Sequence, residues 1–368
     1  MKKKQLIVGL VVLAALVALV VMGRDRMHFD FGAFGSQLAL ANWWKIALGL
    51  GCIYVAYLFR SIRWVWLLRH DKKIPPLSLL GTQVIGFTAI ALIGRIADPV
   101  RPYLVAKKTG LPLSNQFAVY IVERLFDLGS SALIFSLALL FLAPGGMHPE
   151  PHKAGALSHL LTQFPLMAGI VERYGGLILT AFAALFLILV RFAGGRVAAV
   201  VEKFFGRFSK SFGKAAAQKV LAFRAGLYTM RSFSDFAVTT ALSLVMWCLI
   251  TLAYLFTLQA FTATPQLASM TLPKSVLLMM ASGGASLFQL PVIGWFSQIG
   301  IVAALISGFY GVAAEPATAC AATLLVVTFL GIVPIGLVWA RFDHVSLRKV
   351  AEESERAEEV RTVNEPAL

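Results

Sequence analysis

The chain has 368 residues, 58% of them hydrophobic and 14% charged, with a mean hydropathy of +0.79. That balance excludes a soluble globular domain and a disordered chain, and points to an all-α, polytopic integral membrane protein. The net charge of +15, from 33 Lys and Arg against 18 Asp and Glu, speaks in such a chain to topology and to anionic headgroups rather than to nucleic acid.

Lys2, Lys3 and Lys4 precede an apolar run, which predicts a first span over 5–22. The flank Gly23-Arg24-Asp25-Arg26 is no small-x-small cleavage site, so the run is expected to stay as an uncleaved span. Further spans are predicted over 45–68, 117–142, 175–193, 236–261 and 317–340, each near the roughly 20 residues a helix needs to cross the hydrocarbon.

Orientation follows from charge. Arg60, Arg63, Arg69, Lys72 and Lys73 crowd the end of the second span, 191–231 carries nine Lys or Arg against the single acid Glu202, and Arg341, Arg348 and Lys349 follow the last span. These ends, with both termini, are expected in the cytoplasm. The stretches 143–173 and 262–273 are the expected outer loops, the second without any charge.

Two regions resist a simple span. The segment 77–97 is apolar, yet Lys72 and Lys73 before it and Arg101, Lys107 and Lys108 after it all read as cytoplasmic. A re-entrant element that dips and returns satisfies both flanks. Gly81, Gly86 and Gly94 permit the return, and Pro99 and Pro102 interrupt any helix beyond it. A short ordinary span that disobeys the charge rule is the other reading. The region 275–312 is broken in the same manner at Ser282-Gly283-Gly284, Gln289-Leu290-Pro291, Gly294 and Gly300, and is expected to be a second re-entrant element or a pair of short spans. Paired broken elements are the plan of many transporters, although small residues also serve close helix packing.

Residues 197–231 mix Phe204, Phe205, Phe208 and Phe212 with basic residues, which predicts one or two amphipathic helices on the inner leaflet. The transmembrane unit is expected over 1–342 and a charged cytoplasmic tail over 343–368. Cys52, Cys248 and Cys320 lie in apolar runs without CxxC spacing and are expected to be small buried hydrophobes.

The candidate site is a group of charges in segments that should be apolar: Arg95, Asp98, Arg101, Glu123, Arg124 and Asp127. An ionisable residue at the bilayer centre costs about 2.5–3.5 kcal/mol on insertion scales, so such residues are paired, wetted or functional. Glu123 and Asp127 share a helix face, with Arg124 beside it. Arg95 and Arg101 are the expected counter-charges. Forked guanidinium donors suit a lipid phosphate, and the acids would orient them. Salt bridges that merely lock the re-entrant element to the bundle are the structural alternative.

No HExxH, P-loop or nucleophile elbow is present, and His148, His152 and His159 lack metal-ligand spacing. No cofactor or metal is expected.

The stretch Gly94-Arg95-Ile96-Ala97-Asp98-Pro99-Val100-Arg101, followed by Glu123-Arg124-Leu125-Phe126-Asp127, resembles the flippase-like family named after the transmembrane region of lysylphosphatidylglycerol synthase. The Glu-Arg-x-x-Asp signature matches well. The first motif lacks the usual Gly-Glu pair, and Gln289 to Trp295 corresponds loosely to a second Gly- and Pro-rich motif. The resemblance implies a multi-helix bundle and, in some members, lipid translocation. It also implies a fused synthase domain in many members, which has no counterpart in this sequence. The expected function is binding or translocation of a phosphate-bearing membrane lipid across the inner membrane. The alternative is a membrane enzyme or accessory acting on a polyisoprenyl- or phospholipid-linked donor, and the expected partners are anionic lipids and lipid-biosynthesis enzymes.

Overall fold

The computed structural model describes residues 30–94, 97–142, 193–207, 232–285 and 293–343, with isolated positions between them. The expected span over 5–22, most of the span over 175–193, the loop with its three histidines and the tail beyond Asp343 lie outside these residues.

The described chain is helical and antiparallel. Helix α1 (Phe31–Ala39) starts at Asp30, whose carboxylate accepts from Gly32 N at 2.7 Å and Ala33 N at 3.0 Å. Helix α2 (Trp43–Leu68) runs from there to a basic face. Helices α3 (Pro76–Ile93) and α4 (Val100–Thr109) form a hairpin on that face, and α5 (Leu113–Leu142) and α6 (Phe233–Gln259) each run away from it. After the short α7 (Pro265–Ala268) come α8 (Leu272–Ala285) and α9 (Ile293–Tyr310), then α10 (Ala314–Thr328) and α11 (Val333–Phe342), joined by a 3-10 turn over Leu330–Ile332.

Polar contacts define the two faces. On the basic face Arg69 and His70 pair with Asp235, Asn115 donates to Asp71 at 2.9 Å, and Lys108 lies 3.6 Å from Asp343. On the opposite face Asn42 N donates to Ala260 O at 2.8 Å, and Thr264 donates to Gln37 at 3.1 Å. Trp43 and Trp44 are exposed there, as an interfacial aromatic pair would be.

The first hairpin is the dip-and-return, the first of the two readings that the basic flanks allow. Helix α3, with 18 residues, is long and apolar enough to cross, but Gly94 at φ +91° ends it and the chain turns back. Arg101 of α4 then lies against Gly86 and Gln83 of α3, and Lys72 Nζ donates to Thr109 O at 2.7 Å. Both ends of the hairpin therefore sit on the basic face. Gly110, at φ +70°, closes α4 behind Lys107 and Lys108, which favour a helix C-terminus.

The second broken region is also a hairpin, entering from the opposite face. Tyr310 at the end of α9 donates to Lys274 O near the start of α8 at 2.9 Å, so both open ends lie together there. The hairpins meet inside the bundle, where the Trp295 indole donates to Ala91 O at 3.1 Å. The two broken elements thus enter the bundle from opposite faces.

Helices α2, α3, α5 and α6 meet the length and hydropathy of a span, and the α10–α11 pair makes a fifth that bends by 41°. The sequence predicts one continuous helix over 317–340, and the structure corrects this. Pro334 has no N–H for the Leu330 carbonyl, and Gly331 lies against Leu50, so the helix breaks between α10 and α11. Small residues let helices close up elsewhere: a Cβ on Gly49 would lie 3.0 Å from Thr257 Oγ1, and one on Gly336 would overlap Thr88. The core reflects these contacts, with Leu258, Ile306, Cys320 and Leu324 buried in one cluster toward the opposite face.

One smaller expectation changes. Of the three cysteines only Cys320 is buried, while Cys52 is half-buried and Cys248 is exposed on α6. A thiol is apolar enough to face lipid as readily as protein. The amphipathic segment is described over 193–207: residues 193–205 are helical, Val197 packs on the cluster of Leu67, Leu68 and Leu79, and Val200 and Phe204 face outward. The rest of 197–231 lies largely outside the described residues.

Candidate functional site

The charges converge where α2, α5 and the first hairpin meet. Along α2 the buried stripe Ile53, Ala56, Tyr57 continues through Arg60, Arg63, Trp64 and Leu67. The 3–4 residue spacing of the core face therefore carries two guanidinium groups inward. Arg63 is 1% exposed and forms the lock of the cluster: Nη1 donates to Asp127 Oδ1 at 2.6 Å and to Ser243 at 2.6 Å, and Nη2 donates to Glu123 Oε1 at 2.7 Å. One fork thus spans two carboxylates a turn apart on α5.

Arg101 anchors the hairpin. Its Nη2 donates to Glu123 Oε2 at 2.8 Å and Oε1 at 3.1 Å, and Nε and Nη2 donate to Gln83 at 3.0 and 2.6 Å. The rings of Phe87, Trp64 and Tyr120 lie 4.3, 5.1 and 5.7 Å from its guanidinium carbon, so the cation is held by π faces where it lacks acceptors. A Cβ on Gly86 would overlap the Arg101 side chain, which explains glycine there.

Arg60 and Arg124 complete the group. Arg60 Nη1 lies 3.2 Å from Glu123 and 3.4 Å from Asp127, and its guanidinium stacks 4.7 Å from Phe87. Arg124 Nη2 stands 3.0 Å from Asp127 Oδ2 without the alignment of a hydrogen bond, and its Nε has no acceptor among the described residues.

Part of this group borders one end of a cavity of about 500 Å³. Arg60, Asp98, Arg124 and Asp127 line that end, and the remainder is mostly apolar, with Ile53, Ile90, Ile250 and Met279 in the wall. Leu128, exposed on the outer surface of α5, also lines it, so the cavity reaches the lipid-facing side of the bundle. The buried indole N–H of Trp247, another lining residue, has no partner among the described residues.

A family model described as the lysylphosphatidylglycerol synthase TM region matches residues 6–336, nearly the whole chain. The chain belongs to that family. No curated protein matches it. The family and the apolar helices together make this an integral, multi-pass membrane protein related to phospholipid handling.

Of the residues the sequence singles out, Arg101, Glu123, Arg124 and Asp127 come together directly. Asp98 lines the cavity beside them without an ion pair among the described residues, and Arg95 lies outside those residues. The expected counter-charges are corrected in part. Arg101 balances Glu123, but Asp127 is held by Arg63, Arg60 and Arg124. In the sequence Arg60 and Arg63 read as topological charges, yet both are buried. The signal that finds them is the continuation of the α2 core stripe through both positions, whereas Arg69 falls beyond the end of the helix.

Four arginines face two carboxylates in the contact network, and with Asp98 at the same end of the cavity the local excess is one positive charge. A positive excess of this kind can hold an anion where an arginine also reaches an open cavity, as Arg124 does. The ion pairs are also structural, because Arg101 ties the hairpin to α5 and Arg63 ties α2 to α5.

Proposed function

We propose that the protein binds a phosphate-bearing membrane lipid at the arginine end of this cavity and moves it between leaflets. The observation that carries the reading is Arg124, which lines the cavity with 38% of its side chain exposed, within a network that holds four arginines against Glu123 and Asp127, with Asp98 at the same end. The phosphate would lie against Arg124 and Arg60, with Asp127 limiting how tightly the anion is held. Acyl chains would pass the apolar wall near Leu128 into the bilayer. The basic face would be cytoplasmic, in the inner membrane, with anionic headgroups against the helix around Arg196, Lys203 and Arg207.

Two hairpins from opposite faces that touch at Trp295 and Ala91 supply elements able to open the cavity to either side in turn. The test is reconstitution in vesicles holding a fluorescent phospholipid, with dye in the outer leaflet quenched chemically. Faster loss of the protected signal than in protein-free vesicles supports translocation. An unchanged rate, where a known scramblase works in parallel, overturns it.

A further inference from the structure

At the other end of the cavity from the arginines lies a group of uncharged polar side chains. Tyr254 of α6 donates to Ser282 of α8 at 3.0 Å, Gln298 of α9 lies 3.5 Å from the same hydroxyl, and Thr328 of α10 lines the wall beside them. Tyr254, Ser282 and Gln298 are buried, and all four residues face the cavity. Their neighbours in the wall, Ile53, Ile250 and Met279, are apolar.

Their distance from the arginines is set by the packing of α2 against α6. Gly49 lies against Ala253 and Thr257, and Arg63 bonds to Ser243, which fixes the antiparallel register. Tyr254 is then level with a point about nine residues along α2 from Arg60, roughly 13 Å at 1.5 Å per residue. The cavity therefore offers a cationic end and a neutral, hydrogen-bonding end separated by about the length of a large headgroup.

We infer that Tyr254, Ser282, Gln298 and Thr328 form a second subsite, for the hydroxyls of a polyol or saccharide headgroup carried on the phosphate that the arginines hold. Helix packing accounts for the bonds from Tyr254 and Gln298 to Ser282 and from Thr328 to Leu324 O, but all four side chains also border the cavity, where apolar residues would close the wall at lower desolvation cost. Hydroxyl and amide groups both donate and accept, which matches sugar hydroxyls and gives no advantage to a bare phosphate. Ser282 and Gln298 sit on opposite arms of the second hairpin, so an occupant of this subsite would bridge the arms of the element proposed to move. The inference rests on the phosphate-lipid reading and adds the headgroup class to it.

The experiment measures retention of three fluorescent lipids with identical acyl chains by the full-length protein in detergent: phosphatidic acid, phosphatidylglycerol and phosphatidylinositol. Retention should rise in that order. Ser282→Ala and Tyr254→Phe should each reduce the preference for phosphatidylinositol over phosphatidic acid about fivefold, the worth of one hydrogen bond, while leaving phosphatidic acid retention unchanged. Arg124→Gln should lower all three together. Equal retention of the three lipids by the unaltered protein, or an equal loss of all three in Ser282→Ala, overturns the subsite and leaves the arginine site standing. Failure of the unaltered protein to retain any of them overturns both.

Discussion

Replacing Arg63 with glutamine separates the lock from the ligand site. The Arg63 guanidinium is buried and makes hydrogen bonds of 2.6, 2.7 and 2.6 Å to Asp127, Glu123 and Ser243. Its removal leaves Asp127 with Arg60 at 3.4 Å and the poorly aligned Arg124, and leaves Glu123 with Arg101 at 2.8 Å and Arg60 at 3.2 Å. Breaking a buried ion pair on one side costs about 3–5 kcal/mol, because the surviving charge stays buried. Denaturant unfolding of the purified protein in detergent should show a loss of that size for Arg63→Gln. A double-mutant cycle with Asp127→Asn should give a coupling of about 1–3 kcal/mol. By contrast Arg124, with 38% of its side chain exposed, should cost less than about 1 kcal/mol as Arg124→Gln. An Arg63→Gln protein within about 1 kcal/mol of the unaltered one, or strict additivity with Asp127→Asn, would refute the division of roles.

Three further outcomes are expected. Gly336→Ala should lower folded yield, since its Cβ would overlap Thr88, and adding Thr88→Gly should restore yield measured by size-exclusion chromatography. Gly86→Val should displace Arg101 from Gln83 and Glu123, and thermal unfolding should move to lower temperature as the hairpin anchor is lost. In a background free of Cys52, Cys248 and Cys320, Lys72→Cys and Lys108→Cys should react with an impermeant maleimide from one side of the membrane and Lys274→Cys from the other. Labelling of Lys72→Cys and Lys108→Cys from opposite sides would exclude the first hairpin.

Much of the architecture is legible from charge and from glycine and proline. Basic flanks on both sides of 77–97 favour a return, and Gly94 and the Lys72–Thr109 contact show where and how it happens. The second hairpin is less legible. Its return depends on Tyr310 meeting Lys274 O, a contact between residues 36 apart that no local pattern encodes. Helix α1 has nine residues and a single cap at Asp30, too short to stand out beside the long spans.

The site is half legible for a different reason. Glu123, Arg124 and Asp127 announce themselves as charges inside an apolar helix, and Arg101 by its place after the hairpin turn. Arg60 and Arg63 sit near the end of a span among Arg69, Lys72 and Lys73, where position along the chain assigns them to the interface. Only the helical period shows that they point inward with Ile53, Tyr57 and Trp64 while Arg69 does not. The bend between α10 and α11 arises from Pro334 and from the approach of Gly331 to Leu50, the second of which requires the tertiary partner.

Native mass spectrometry of the purified protein addresses the central claim most directly, by weighing the lipid that stays bound in the cavity. The account predicts a retained lipid whose mass includes a phosphate, released by Arg124→Gln while that variant stays folded. A folded Arg124→Gln protein that keeps the same lipid, or an unaltered protein that retains only phosphate-free lipid, would contradict it.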